Sequence, residues 1–353
     1  MNILFILPSL NIYGGTPKKT LELIKALNTN TVVYTYDNEY SQFMQHFEQA
    51  GAEVFIRPHR RNIFKHFIEL RKIIISKKIH IVQTQFTFGE ILGFFCKMIN
   101  FRIKVINTFV GIIKPNIFKK FVLNFIYLFV DQIVYVSNFV KNEKEIQFPI
   151  LKTKPSKIIY NGTSPRKFSL QNNLPSDRFN LLAIGGLVDV KNFDLLIHMM
   201  NILKDDNTFH LTIIGDGPNK NKMISKINEY CLDEHISMLG YIDNVGDYLS
   251  SCDIYLHPAY AEGFGISVIE AMFSKKTIIV SNKGALPEII INNFSGKILS
   301  HDNPSEWAKN VKELYMKEGI REELSLNAFN EVNKKFNLKI FSNNYKSMYG
   351  EII

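Results

Sequence analysis

Short apolar runs separated by amphipathic stretches recur along the whole chain. Residues 2–7 form an apolar-rich run closed by Pro8. A run of that length, apolar on both faces, reads as a buried parallel strand. Leu21, Leu23, Ile24 and Leu27 then recur at helical spacing over residues 16–27. Further strand-like runs follow at 31–36, 52–56, 79–84, 104–108 and 132–137, with helical patterns between most of them. The segment 152–173, rich in Pro, Lys, Asn and Ser, reads as a linker. The alternation restarts beyond it, with strands at 180–184, 210–214, 253–257, 277–281 and 296–299. Helical patterns fill 193–203, 219–231, 266–273 and 286–291, and residues 304–353 read as helical throughout. This predicts an α/β protein of two doubly wound, Rossmann-like halves with parallel sheets, residues 1–165 and 166–335.

Length and composition agree with two domains. The chain has 353 residues, too many for one ordinary domain, and 46% are apolar, enough for two cores. No basic flank precedes the N-terminal apolar run and Gly14-Gly15 breaks it, so an export signal is not expected. No uncharged apolar run is long enough to span a membrane. Cys96, Cys231 and Cys252 are too scattered for a disulfide framework or a metal cluster, which points to a reducing cytoplasm. Charge is uneven: residues 1–170 hold 24 Lys+Arg against 10 Asp+Glu, and residues 171–353 hold 18 against 23. The basic first half is expected to meet something anionic, whether phosphorylated lipid, membrane surface or nucleic acid.

Ligands of such sheets bind beyond the carboxyl ends of the strands, so the loops there carry the candidate chemistry. Gly14, Gly15 and Thr16 open the first helix, where bare backbone N–H groups favour an anion. The full dinucleotide fingerprint is absent. Gly185 and Gly186 follow the first strand of the second half, and Lys191 precedes the next helix, placed to neutralise a diphosphate. Gly215, Asp216, Gly217 and Pro218 close the following strand as a turn, with Pro218 expected in the first helical turn. The longest motif runs from His257 to Met272, with Glu262 in a loop, Gly263 and Gly265 around Phe264, a helix from Ile266, and Glu270 within it. Both carboxylates are suited to sugar or ribose hydroxyls. A plain loop acid and a first-turn acid favoured by the helix dipole are the alternatives.

The segment around Glu262 and Glu270 resembles the E-x7-E signature of the retaining family 4 glycosyltransferases of the GT-B fold. Gly14-Gly15, Ser137, Tyr160-Asn161-Gly162, Lys191, Gly215-Asp216-Gly217-Pro218 and Gly284-Ala285-Leu286-Pro287-Glu288 fall in the same order as in that family. The resemblance is strong over residues 180–300 and weak over 37–130. It implies two sheets facing each other across a cleft, an acceptor-binding first domain and a nucleotide-sugar-binding second domain. Residues 336–353 would cross back onto the first domain. Glu262 and Lys191 would be catalytic. Gly14, Gly15, Gly186, Lys191, Gly215, Gly263, Phe264, Gly265, Ile266 and Glu270 would hold the donor, with Glu270 on the ribose. Two departures stand out: Gly186 replaces the family's common arginine, and Val110 replaces a common histidine.

The activity so implied is metal-independent hexosyl transfer with retention from a nucleoside-diphosphate sugar, UDP favoured over GDP, with no cofactor. Basic, apolar stretches are the second clue. Arg60, Arg61, Lys65, Arg71, Lys72, Lys77 and Lys78 interleave with Phe64, Phe67 and isoleucines, and Lys114, Lys119 and Lys120 with Phe118, Phe121 and Phe125. Such stretches suit an anionic membrane surface. The expected acceptor is therefore a polyprenyl-diphosphate-linked saccharide, glycosylated at the inner face of the cytoplasmic membrane during assembly of a bacterial surface polysaccharide (O-antigen, capsule or exopolysaccharide). A sugar-nucleotide epimerase of the same fold, a sugar-binding protein and a nucleic-acid-binding module are the alternatives. No recognisable nucleic-acid motif accompanies the charge, so no nucleic-acid partner is expected.

Overall fold

A computed structural model of the chain describes residues 1–11, 15–37, 41–57, 59, 62–112, 115–165 and 174–353. Gly14, Arg60, Arg61 and Lys114, singled out above, lie outside the described residues. The chain divides into two compact units, Met1–Gly162 with Leu338–Ile353, and Thr163–Asn337.

In the first unit the elements run β1 (Asn2–Leu7), α1 (Gly15–Leu27), β2 (Asn30–Thr35), α2 (Met44–Gln49), β3 (Ala52–Ile56), α3 (Ile63–Ser76), β4 (Ile81–Gln85), α4 (Phe86–Ile99), β5 (Lys104–Phe109), α5 (Ile117–Tyr127), β6 (Gln132–Tyr135), α6 (Asn138–Gln147) and β7 (Ser156–Ile158). The second unit holds β8 (Phe179–Ile184), α7 (Phe193–Leu203), β9 (Phe209–Ile214), α8 (Lys220–Glu229), β10 (Ile236–Gly240), α9 (Gly246–Ser251), β11 (Ile254–His257), α10 (Ile266–Phe273), β12 (Thr277–Ser281), α11 (Leu286–Ile289), β13 (Lys297–Leu299), α12 (Pro304–Met316) and α13 (Glu318–Lys335). The last helix, α14 (Leu338–Ile352), belongs to the first unit.

Each unit is built on a parallel sheet. The first has the order β3-β2-β1-β4-β5-β6-β7 and the second β10-β9-β8-β11-β12-β13. Strand β1 shows why its sequence has no polar face. Ile3, Phe5 and Leu7 enter one core with α1 and α14, while Leu4 and Ile6 enter another with α3 and α4. All five are fully buried, and each such side chain contributes roughly 2 kcal/mol of transfer free energy. In the second unit Leu181, Leu211, Ile213, Ile254 and Leu256 line one core with α7 and Trp307 of α12.

Four readings of the sequence are corrected. The supposed linker at 152–173 contains β7, whose three half-buried residues at a sheet edge leave no apolar run to detect. Strand β10 was not anticipated. It is an edge strand, only partly buried and interrupted by a register shift between Met238 and Gly240, so its sequence continues the amphipathic look of α8. Residues 304–353 are not helical throughout: breaks at Lys317 and at 336–337 divide them into three helices. The break at Phe336 and Asn337 is pinned by Thr163, whose N–H donates to the Phe336 carbonyl at 2.9 Å. Finally, Pro218 precedes the N-cap residue Asn219 instead of lying in the first turn of α8.

Tyr345, Met348 and Tyr349 of α14 pack with β1 and α1 residues, and the Tyr349 hydroxyl donates to Gln83 Oε1. Cys96 and Cys252 are buried in the cores, whereas Cys231 is exposed just past α8.

Candidate active site

In the second sheet β8 lies between β9 and β11, so the chain's direction of winding reverses there. Ligands of such sheets bind beyond the carboxyl ends of the strands at that point, where the β8 and β11 loops leave the sheet. The β8 loop carries Lys191 and the β11 loop carries Glu262.

Strand β11 sets up the site by simple alternation. Ile254 and Leu256 face the core, so Tyr255 and His257 share the opposite face. Their rings lie 6.1 Å apart and nearly parallel. His257 is almost wholly buried, and its Nε2 is 2.9 Å from Glu262 Oε2. The Lys191 ammonium donates to the same oxygen at 2.5 Å. On the other side of the ring, His257 Nδ1 is 3.2 Å from the Tyr255 hydroxyl.

Electrostatics fixes the protons. Burial lowers His257 below its ordinary value, and Lys191 acts in the same direction against the opposing pull of Glu262, so the imidazole is neutral. Burial would raise the Glu262 carboxyl, but the Lys191 ammonium and the His257 hydrogen bond outweigh it and hold the group well below the usual carboxylate range. An ionised Glu262 accepts, so His257 donates from Nε2. Its Nδ1 then accepts from Tyr255, whose phenol stays protonated. Burial pushes that phenol up, and the carboxylates of Glu262 and Glu270 both add to the effect, while a hydrogen bond with Ser267 opposes it. Both acids of the E-x7-E pair therefore lie within electrostatic reach of one phenol. Glu270 is buried on α10.

The Lys191 turn is tied to the Glu262 loop by its own backbone. Asn192 follows Lys191 with φ +54°, a left-handed conformation that Asn tolerates better than most side chains. Its side-chain amide donates to the carbonyls of Pro258 at 3.0 Å and His301 at 2.8 Å. The Tyr260 N–H also donates to the Val190 carbonyl at 2.8 Å. The Glu262 backbone is braced in turn by Ala285, whose N–H donates to the Glu262 carbonyl at 2.8 Å. Gly284 makes this possible. A Cβ there would sit 2.4 Å from Glu262 N and 2.5 Å from its carbonyl oxygen, and φ is +64°.

The remaining sequence candidates sort into several positions. Gly265 and Ile266 stand at the head of α10, where the Val268 N–H donates to the Gly265 carbonyl at 3.0 Å and the N–H groups ahead of it have no preceding helical turn to bond. Gly263 is half-buried in the loop before it. The Phe264 side chain is buried against Phe336, so only its backbone faces the loop chemistry. Gly215 serves the packing of loops: a Cβ there would meet the Gly185 carbonyl oxygen at 1.9 Å. Gly186 is exposed, with only the Asp216 carbonyl within reach of an added Cβ, at 3.9 Å. Gly15 is exposed at the start of α1 in the first unit. The sequence reading passed over Tyr255, His257, Asn192 and Gly284 as functional residues. A polar ring ending an otherwise buried strand, two positions after Tyr255, was the available signal for His257.

Residues 166–331 match the family described as Glycosyl transferases group 1. Over 227 residues the chain is 30% identical to an uncharacterized glycosyltransferase of Methanocaldococcus jannaschii, a match covering 63% of this chain and 60% of that one. It is 28% identical over 191 residues to the O-antigen biosynthesis glycosyltransferase WclY of Escherichia coli, covering 51% of each. The chain thus spans only part of the length of these curated relatives. Among solved structures, Anabaena HepE in complex with UDP and glucose superposes with a TM-score of 0.83, at 15% identity, over 99% of this chain and 100% of that one. At that identity the likeness is one of fold.

Proposed function

The chain belongs to the group 1 glycosyl transferases, family 4 with the GT-B fold, and from that membership we propose that it transfers a hexose, with retention, from a nucleoside-diphosphate sugar to a lipid-linked saccharide. The observation that carries this reading is the Lys191–Glu262–His257 cluster at the switch point of the second sheet. It presents an ammonium where a departing diphosphate develops charge, and electrostatic stabilisation of that charge is the largest effect such a site offers. In this reading Lys191 and the head of α10 hold the diphosphate, and Glu270 takes the ribose hydroxyls. Glu262 orients the transferred sugar. His257, neutral and fixed by Tyr255, keeps the Glu262 carboxylate in place once Lys191 turns to the donor. The sugar-nucleotide epimerase alternative lacks a specific observation in its favour.

UDP is favoured as the base-bearing half of the donor because HepE, a fold relative, is described with UDP. The acceptor assignment, a polyprenyl-diphosphate-linked saccharide in O-antigen, capsule or exopolysaccharide assembly, is supported by the O-antigen relative and by the basic first half. No helix among the described residues is long and apolar enough to cross a membrane. The lipid-linked acceptor reading places the chain as a peripheral protein on the inner face of the cytoplasmic membrane. A thermal-shift screen of UDP- and GDP-sugars, followed by product analysis with lipid-linked acceptors, tests it. Stabilisation by one sugar nucleotide and an α-linked product from an α-linked donor are expected. Free sugar as the main product at saturating acceptor would overturn it.

A further inference from the structure

Helix α5 has two apolar faces. Leu123, Ile126 and Tyr127 point into the first unit and are buried. Ile117, Phe118 and Phe121 point outward at 88%, 73% and 76% exposure, and Phe125 and Leu128 continue the stripe at 53% and 50%. A helix in water is normally apolar on one face only, and a second apolar face marks a second non-aqueous neighbour. The stripe does not stop at α5. Phe125 and Phe129 meet Phe94 of α4 with ring centroids 5.9 Å and 5.2 Å away, Phe94 meets Phe95 at 5.6 Å, and Phe95 meets Phe67 of α3 at 6.0 Å. Phe64 on α3 extends it at 72% exposure, with Ile75 at 60%.

Charge identifies the neighbour. Between Glu90 and Asp131 the sequence contains no acid and six bases, among them the exposed Lys119 and Lys120 on α5. Beyond the carboxyl end of α3 opens a pocket of about 560 Å³ lined by Arg71, Lys78, His80, Arg102 and Lys104, with isoleucines between them and the last residue, Ile353, at its wall. Glu69, an acid on α3, is already paired with Lys72 at 3.4 Å and Arg57 at 3.6 Å. Phenylalanines flanked by lysines, with a basic pocket at the other end of the same helical layer, fit a surface with apolar depth and negative headgroups. A second copy of the chain fits poorly, because pairing this face with itself brings bases against bases.

We propose that the outer face of α3, α4 and α5 is the surface by which the chain docks on a bilayer of anionic phospholipid, with Phe118 and Phe121 inserted and the basic pocket holding a headgroup phosphate. This deepens the lipid-linked acceptor reading, which supplies the reason for a bilayer, and its geometry stands apart from the second-unit cluster.

The test is sedimentation of the full chain with vesicles of phosphatidylcholine alone or mixed with phosphatidylglycerol. The wild type is expected on the mixed vesicles and not on the neutral ones. Phe118→Ser combined with Phe121→Ser, which removes two exposed rings, should weaken binding by about tenfold or more. Its thermal melt and its UDP-sugar binding should match the wild type. Lys119→Glu with Lys120→Glu should reduce binding and flatten its salt dependence. Wild-type indifference to anionic vesicles, or equal binding by the Phe118/Phe121 variant, overturns the proposal. So does a wild-type dimer that the same variant converts to a monomer, since the face would then belong to a second copy. Vesicle binding without transfer to lipid-linked acceptors would instead overturn the acceptor reading and leave this surface standing.

Discussion

Both units place polar residues at or just beyond the carboxyl ends of central parallel strands, and the two sets are used differently. At the carboxyl ends of β4 and β5, Gln83 donates to Thr108 at 2.9 Å and Thr84 to Asn107 at 2.6 Å, and Tyr349 of α14 donates to Gln83. These are neutral, buried groups bonded to one another, and they hold the first unit together. Beyond the ends of β8 and β11 the loops bring in charged groups, Lys191 and Glu262. One carboxylate oxygen is shared by an ammonium and a neutral imidazole. The first unit also buries ionisable groups: Lys97 pairs with Asp131 at 2.8 Å and Lys19 with Glu22 at 2.6 Å, while Glu90 receives the Tyr127 hydroxyl at 2.9 Å and burial pushes its carboxyl up. A sheet end whose polar groups are neutral offers no charge to a diphosphate, even where buried atoms such as Asn107 Nδ2 and Gln85 Oε1 are left without a hydrogen-bond partner. A sheet end holding unlike charges in an ion pair that a diphosphate can exchange is chemistry.

That contrast can be broken most forcefully at Lys191 and Glu262. Glu262→Ala or Lys191→Ala should each lower transfer by about a thousandfold, the scale of losing a group that meets developing charge, with the melting transition still cooperative. Near-normal turnover in either variant would move the chemistry elsewhere. Gly284→Ala tests the brace behind Glu262. The new Cβ collides with the Glu262 backbone at a left-handed φ, so a loss of about 2 kcal/mol in urea unfolding is expected, with reduced turnover. An unperturbed urea midpoint would show that the two loops separate without cost.

His257→Gln probes the network through pH. His257 is neutral in the folded chain and takes a proton near its ordinary 6.5 when unfolded. Stability therefore declines as pH falls below 6.5. Glu262 is held low, so its stabilisation is complete above its ordinary 4.5 and is lost as pH falls below that. The variant should show a flatter stability curve just below pH 6.5 and an unchanged acid limb. His210, also lowered chiefly by burial, leaves some slope in that window. A variant curve parallel to the wild type would remove His257 from the network. The smallest effect is expected from Gly186→Arg. The exposed backbone there has room for a side chain, and a second cation beside Lys191 should tighten donor binding by about fivefold, on the order of 1 kcal/mol. Weaker binding would mean that this stretch of backbone touches the donor directly.

Legibility did not follow that division: strands β1, β2, β3 and β5 of the first unit were located as closely as those of the second. In the second unit the apolar runs at β8, β9, β11 and β12 are long, central and buried on both faces, so periodicity located them within a residue or two. The E-x7-E segment was readable because loop glycines, an acid and a helix start occur at fixed offsets. Edge strands β7 and β10 were not readable: Ser156-Lys157-Ile158 holds a single apolar residue and β10 is broken by a register shift, whereas the edges β3 and β13 were located. His257, Asn192 and Gly284 were hidden for another reason. Each acts through a contact with a residue distant in sequence: His257 with Tyr255 and Glu262, Asn192 with Pro258 and His301, Gly284 with Glu262. The apolar interleaving of α3 and α5 was visible along the chain, but which side of each helix stayed uncovered was not.

Calorimetric titration of UDP and UDP-glucose into the wild type and Lys191→Ala bears most directly on the second-unit cluster as the grip on an activated sugar. The wild type is expected to bind both, and the variant to bind them at least about tenfold more weakly, the scale of losing one charge-assisted contact to a diphosphate. Equal affinities in the two proteins would contradict a diphosphate held by Lys191.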